Sequence, residues 1–437
     1  MERIVRLLSV FILYASVSAA ETSPAVGSTM PVDSTEIVSS AKPNPRSGIK
    51  MIFLGNADLR GAWTAVNDGK GALGLVGSAM ILPAVQLPGK GGVVLPIYAF
   101  NGSVSDRVVE ESILFETRQN HMISLGYKKA IAGDWDAKVS ADGAYALTQQ
   151  TRNEKFGKGL YDYRDMGGRT SISWSPKRGG REEPVTLGFR YFQRAYPNFK
   201  SLASENQKLL LAIPGGAASV GDKEKNPKNY TGYEVSASGE RWLSETIKGR
   251  LDYAIGLQPY TDRYLRTNQG LVSDKKRSDI INQGAARFDW TGLESAVVWT
   301  SMDYLHFGSN GSNYDSGQSV YAYTKRFYQF YDLNWRTGLS VQLPLGEELH
   351  PRIDFGMGVG RRKYDRHAQD AAGQNLKAGQ ADNTLTATLG LNVPINKMFG
   401  VVAGVTRQMV SSNNLFEKYV KYNYELTAVS LGMTAKF

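Results

Sequence analysis

The sequence predicts an all-β chain that closes into a transmembrane antiparallel β-barrel. Three observations predict it: hydrophobicity with a period of two over most of the chain, connections that alternate between short and long, and aromatic residues gathered at strand ends.

Arg3 and Arg6 precede an apolar stretch from Leu7 to Val17, and Ser18-Ala19-Ala20 supplies the small residues of a cleavage site. Residues 1–20 therefore read as a secretory signal, its apolar part too short to span a bilayer. Residues 21–49 are rich in Ser, Pro and Thr and lack aromatics, the composition of a flexible arm that buries too little apolar surface to order itself. The barrel is expected over residues 50–437. Cysteine is absent, which excludes disulfides, thiolate metal sites and a thiol nucleophile.

From about residue 112 onward, alternation sets the strands. In Trp135–Leu147 the odd positions are apolar or small, while Asp136, Lys138 and Asp142 fall on the even ones. Val185, Leu187, Phe189 and Tyr191 repeat the pattern, as do Leu251, Tyr253, Ile255 and Leu257, then Leu333, Trp335, Thr337, Leu339 and Val341. Side chains alternate across a strand, so each segment has one apolar and one polar face. Short connections fall near 130–134, 175–184, 243–247, 291–295, 344–351 and 394–399. Longer polar ones fall near 151–161, 195–229, 263–277, 309–318, 365–380 and 411–419. Short turns at one rim and long loops at the other are the habit of membrane barrels. Trp135, Trp174, Trp242, Trp290 and Trp299 lie beside short turns, with Trp299 sharing the parity of Asp303. Tyr161, Tyr163, Tyr230, Tyr260, Tyr264, Tyr304, Tyr364 and Tyr422 lie at the opposite ends. Two aromatic belts are the expectation.

About thirteen strands follow residue 112, so an even barrel needs one or three more. Residues 51–64 are one candidate; Gly71–Leu82 and Val93–Phe100 are two others, but Pro83, Pro88 and Pro96 count against both. The expectation is fourteen strands, with sixteen as the alternative, and residues 84–110 as a long connection over or within the mouth.

The last strand, Val429, Leu431, Met433, Ala435 and Phe437 on one apolar face, resembles the terminal strand of bacterial outer-membrane barrels. The resemblance implies the outer membrane of a Gram-negative bacterium, both termini on the periplasmic side, and engagement of the barrel-insertion machinery through the strand ending at Phe437. It extends to the rest of the chain as architecture alone.

By the alternation, Arg169, Arg190, Asp303, Asp332 and Arg336 point into the lumen near mid-height. Arg250, Asp252, Arg287, Asp289, Arg352 and Asp354 do so nearer the periplasmic end. Centring the hairpin on residues 263–277 sets Arg250 opposite Asp289 and Asp252 opposite Arg287, pairs that would fix register. These charges suit either a constriction selecting small hydrophilic solutes or a self-neutralising network filling a closed barrel. The formal charge of +10 gathers on the outer loops: Lys223, Lys225, Lys228, Arg263, Arg266, Lys275, Lys276, Arg277, Arg361, Arg362, Lys363 and Arg366. Of these, Lys275, Lys276, Arg277, Arg361, Arg362 and Lys363 are candidates to bind lipopolysaccharide phosphates. The apolar stretch Leu209–Gly221 within the longest loop could fold inward or pack on other loops.

His306-Phe307-Gly308-Ser309-Asn310-Gly311 looks like the His-x-Ser-Asn-Gly motif of outer-membrane phospholipase A. The serine here stands three residues on, which puts it on the other face of a strand from the imidazole. No catalytic residue, metal site or cofactor is assigned, and no motif points to nucleic acid. The leading expectation is a channel for small hydrophilic solutes. An export, assembly or structural barrel working with a partner comes second and an outer-membrane hydrolase third.

Overall fold

The computed structural model describes residues 49–437 apart from 68–70, 90, 110–111, 151–153, 200–225, 268–271, 315–322, 346–349 and 417–421. In chain order the strands are β1 (Lys50–Val66), β2 (Ala72–Gln86), β3 (Val93–Val109), β4 (Ser112–Ala132), β5 (Trp135–Gln149), β6 (Tyr163–Trp174), β7 (Lys177–Arg178), β8 (Arg181–Glu182), β9 (Val185–Ala195) and β10 (Tyr230–Trp242). They continue with β11 (Ile247–Arg266), β12 (Val272–Leu293), β13 (Ala296–Ser309), β14 (Asn313–Tyr314), β15 (Tyr323–Thr324), β16 (Phe330–Gln342), β17 (Arg352–Gln369), β18 (Asn375–Pro394), β19 (Phe399–Ser412) and β20 (Tyr424–Lys436). Among the described residues sixteen of these form one closed antiparallel barrel, each paired with its sequence neighbour. The pairs β7–β8 and β14–β15 are small hairpins within connections.

The barrel therefore has sixteen strands, not fourteen. Thirteen of them begin at or after Ser112; the other three are β1, β2 and β3. Residues 84–110 are not a connection: they hold the end of β2 and all of β3. The prolines are tolerated because they share one defect. The β2–β3 register runs as far as Ile81 opposite Tyr98 and resumes at Val85 opposite Val94, which sets Pro83 opposite Pro96 in the gap. An antiparallel residue aims its N–H and C=O at a single neighbour. Pro83 keeps its pairing with Phe53 on its other side, and Pro96 keeps Leu125. Both missing donors thus fall at one site between two strands, at about 0.5–1.5 kcal/mol per lost bond.

The register fixes which face each residue takes. Leu187, Leu251, Ile123 and Leu431 are each more than half exposed on the outer face, with Phe53, Val139, Val235, Trp335, Phe355 and Leu389 on the same surface. A belt of this extent faces lipid rather than water. The opposite face carries Asp, Glu, Arg, Ser, Thr and Gly. Trp135 and Trp174 sit opposite each other on the outer face with stacked rings 6.0 Å apart, beside a short turn.

Two parts of the expected aromatic belts lie elsewhere. Trp242 shares a face with Glu234 and Glu240 and lies inside the rim, 4.1 Å from the guanidinium of Arg181; Trp299 also faces inward, beneath Arg287. Tyr163, Tyr230, Tyr260 and Tyr364 likewise point into the barrel, where arginines need aromatic faces.

The seam between first and last strands runs from Asn56 opposite Lys436 to Val66 opposite Leu426. It ends in two reciprocal backbone bonds, Gly55 N to Phe437 O at 2.6 Å and Phe437 N to Gly55 O at 3.0 Å. The Phe437 ring stacks on Phe53 and covers Gly55, where an added Cβ would stand 2.2 Å from Cε2. Gly55→Val is expected to expel the ring and weaken closure by about 1–3 kcal/mol, the usual cost of overpacking. Urea unfolding in micelles, followed by the shift between folded and unfolded bands on a gel, measures it. On a Phe437→Ala background the same substitution should cost much less, and equal costs would refute the contact.

Candidate functional site

The interior is the candidate site. It holds a cavity of about 2710 Å³ running past strands from β1 to β18. All eleven charged residues expected in the lumen fall on the inward face, and their partners divide them into two groups.

Most are neutralised locally. Arg287 binds Asp289 at 2.7 Å and Arg352 binds Asp354 at 3.0 Å, each along its own strand. Arg250 holds Asp252 at 2.8 Å and Glu240 at 3.2 Å, with Lys248 also on Glu240. Arg336 pairs with Asp303, and Asp332 with Arg362 at 2.5 Å. The cross-strand pairs expected between β11 and β12 do not form. The register sets Arg250 opposite Arg287, Lys248 opposite Asp289 and Asp252 opposite Ala285. Irregularities beyond Pro259 and Tyr264 displace the hairpin from the centre of its loop. A two-residue shift keeps every side chain on its face and changes every partner.

Arg169 and Arg190 are the exception. They stand directly opposite each other on β6 and β9, both inward, and neither has a carboxylate within ion-pair distance among the described residues. Glu234 is opposite Arg190 on its other side, yet the guanidinium lies 4.4 Å from the Phe192 ring and its Nε has no hydrogen-bond partner. Like charges facing each other across a strand pair are destabilising. Arg169 is exposed to the cavity and Arg190 half-buried beside it, and two like charges on one wall are a source of positive potential.

Towards the long-loop rim the inward side chains pack against one another. Asp165, Arg194, Tyr230 and Tyr260 form one row across β6, β9, β10 and β11. Arg194 grips Asp165 with bonds of 2.7 and 2.6 Å, its guanidinium 3.9 Å from the Tyr163 ring. Arg277 grips Asp279 in the same bidentate way at 2.8 and 2.7 Å, between Tyr260 and Tyr328, and Ser309 donates to Asp279 at 2.5 Å. Beside them Ile281, Phe307 and Phe330 make an apolar cluster with Tyr364 packed on it. Neither the Asp165–Arg194 pair nor Asp279 was singled out from sequence. Their signal was available in the parity they share with Arg169 and Arg287, but the outer strand ends were read as belt. Arg277, 5% exposed, and Arg362 point inward within ion pairs and so are not surface phosphate ligands. Lys275 and Lys276 are exposed at the outer end of β12, while Arg361 and Lys363 face outward on β17.

The inward face of β1–β3 differs at the short-turn end, where Ile52, Leu54, Met80, Leu82, Leu95 and Ile97 stand with Leu82 and Leu95 buried; further along β1 the inward Asp58 and Arg60 pair at 2.7 Å. On β17 the inward positions include Gly356, Gly358 and Gly360. A Cβ on Gly358 would come within 2.9 Å of the Arg336 side chain, and one on Gly360 within 2.2 Å of Asn334 Oδ1. Bare backbone thus lets these side chains lie flat against the wall.

His306 faces outward, stacked 4.5 Å from Tyr331 and 3.2 Å from Asn282, whereas Ser309 faces inward on Asp279. The strand holds them apart. The loop stretch Leu209–Gly221, Lys223, Lys225 and residues 1–48 lie outside the described residues.

An apolar exterior around a charged interior defines a membrane-spanning barrel with a polar lumen. No family model matches the sequence, and no curated protein matches it. Among solved structures the chain is similar to OccD3 (OpdP) of Pseudomonas aeruginosa, at 8% identity over 90% of this chain and 93% of that one, with a TM-score of 0.43. It is similar to OccAB1 of Acinetobacter baumannii at 8% identity over 88% and 97%, TM-score 0.46. An anion-selective porin from Comamonas acidovorans is matched at 13% identity over 89% and 100%, TM-score 0.41.

Two expectations follow from the outer rim. Asp279→Ala leaves the buried Arg277 without its partner and should cost about 3–5 kcal/mol in urea unfolding, far more than Asp289→Ala at an exposed pair. Lys228, in the connection before β10, has its Nζ 4.0 Å from the Tyr161 ring and 4.6 Å from that of Phe199. Burial, with repulsion from Arg263 and Arg277, pushes its pKa down from 10.5 to about 8. The unfolded chain binds the extra proton between these values, so stability rises with pH from about 8 to 10.5 and the cost is full below 8. The thermal midpoint of the native chain should therefore climb relative to Lys228→Met across that window, and parallel profiles would contradict the assignment.

Proposed function

We propose that the chain is an outer-membrane channel that passes small hydrophilic solutes and favours anions. The observation that carries this reading is that Arg169 and Arg190, on the wall of a cavity of about 2710 Å³, have no ion-pair partner among the described residues, whereas the other lumen arginines expected from the sequence are paired. A single charge attracts an anion 4 Å away by about 1 kcal/mol in watery surroundings, roughly a fivefold local enrichment. Neutral pairs such as Arg336–Asp303 give shape and register with little net field.

The exterior belt, the terminal strand ending at Phe437 and the signal-like residues 1–20 support secretion to the periplasm and insertion into the outer membrane. The insertion machinery would engage that last strand, and Lys275 and Lys276 would meet lipopolysaccharide phosphates at the outer rim. Residues 21–49 would lie on the periplasmic side, preceding the barrel of residues 50–437.

Single-channel recording of the refolded barrel in a planar bilayer tests the proposal, with the reversal potential read under a salt gradient. Stepwise conductance with anion preference is expected. Arg169→Ala with Arg190→Ala should lower the anion-to-cation permeability ratio several-fold. Removing the neutral pair, Arg336→Ala with Asp303→Ala, should leave the ratio near that of the native chain. A correctly folded but silent barrel would overturn the channel reading.

A further inference from the structure

The lipid-facing wall is not uniform. Across five adjacent strands the register lines up Trp335, Val359, Leu385 and Met409 in one outward row ending at Glu425. The next row towards the outer rim is Leu333, Arg361, Asn383 and Ser411. An apolar row is thus capped by a polar one, and the two line a groove of about 860 Å³ on the outside of the barrel. Trp335 walls one side, its Nε1 donating to Thr300 Oγ1 at 2.8 Å.

The charges at the groove's upper edge do not cancel. Arg361 and Lys363, two residues apart on the outward face of β17, have neither an ion pair nor a hydrogen bond among the described residues. Glu425, the carboxylate among the described lining residues, is held by Arg407 at 2.6 Å. Two cations spaced by about 7 Å along a strand, where the apolar outward row gives way to the polar one, call for phosphate. The amide of Asn383 and the hydroxyl of Ser411 beside them suit sugar hydroxyls better than a glycerol headgroup.

We infer that this face binds one phosphorylated glycolipid of the outer leaflet, with an acyl chain in the groove and a phosphate on Arg361 and Lys363. The inference rests on the outer-membrane reading given above, but not on conduction through the lumen. Arg361 and Lys363 are on the opposite face of the wall from Arg362, which is occupied by Asp332.

Native mass spectrometry of the delipidated barrel in neutral detergent tests it, with three probes: bis-phosphorylated lipid A, its dephosphorylated form, and phosphatidylglycerol. One bis-phosphorylated lipid A per barrel is expected, with at least tenfold weaker retention of the other two. Arg361→Ala with Lys363→Ala should weaken it at least tenfold, and Val359→Trp, which fills the groove, should do the same. Folding of each variant is checked by gel shift, and conductance, if the native chain shows any, should be unchanged. Equal retention by the double variant, or equal binding of the dephosphorylated lipid or phosphatidylglycerol, would overturn the proposal. A silent lumen with selective, variant-sensitive lipid binding would refute the channel and leave this site standing.

Discussion

A backbone that crosses hydrocarbon has no water to satisfy its N–H and C=O groups, so every strand must find a neighbour on both sides. The pairing of β1 with β20 meets that requirement, and the arrangement of the other strands depends on it. A sheet left open here would present two unpaired edges to lipid. Closure brings the end of the chain back to β1, where the Phe53–Phe437 stack and the uncovered backbone of Gly55 let the last residue lie flat against the first strand.

Once closed, the alternation of each strand divides chemistry by side. Apolar groups face lipid, and the interior takes charges that must then be dealt with individually. Three solutions coexist. Near the short-turn end, arginines bind a carboxylate two residues away on the same strand, as Arg287 does with Asp289. Towards the long-loop rim, Arg194 and Arg277 are largely buried in bidentate pairs with aromatic rings against their planar faces, which suits a delocalised cation poorly served by water. Arg169 and Arg190 have no carboxylate partner among the described residues, and only Arg190 has an aromatic ring, that of Phe192, against its guanidinium.

Much of this was legible in the residues. Period two located thirteen strands, the short and long connections told the two rims apart, and parity put the charged candidates inside. The failures have physical causes. Pro83 and Pro96 were each weighed as a break in a single strand; opposite each other they make one shared gap, a relation visible only in the register. The β11–β12 partners were assigned from the centre of the loop, but irregular pairing beyond Pro259 moved them by two residues. Tyr163, Tyr230 and Tyr260 were placed in a lipid belt by their position at strand ends, although their parity matched that of Asp165 and Asp279 and marked them as interior. Identity of residue type suggested a belt; face decided otherwise.

The glycines on the inner face of β17 have a consequence for how such a wall changes over time. Where Gly358 and Gly360 stand, the Arg336 and Asn334 side chains recline on bare backbone. A methyl group at either position would tilt its neighbour towards the axis and narrow the passage there, with no polar group gained or lost. Calibre and charge can therefore drift separately in this architecture. One substitution between two of the smallest amino acids retunes the width, while the arginines across the lumen keep their sign.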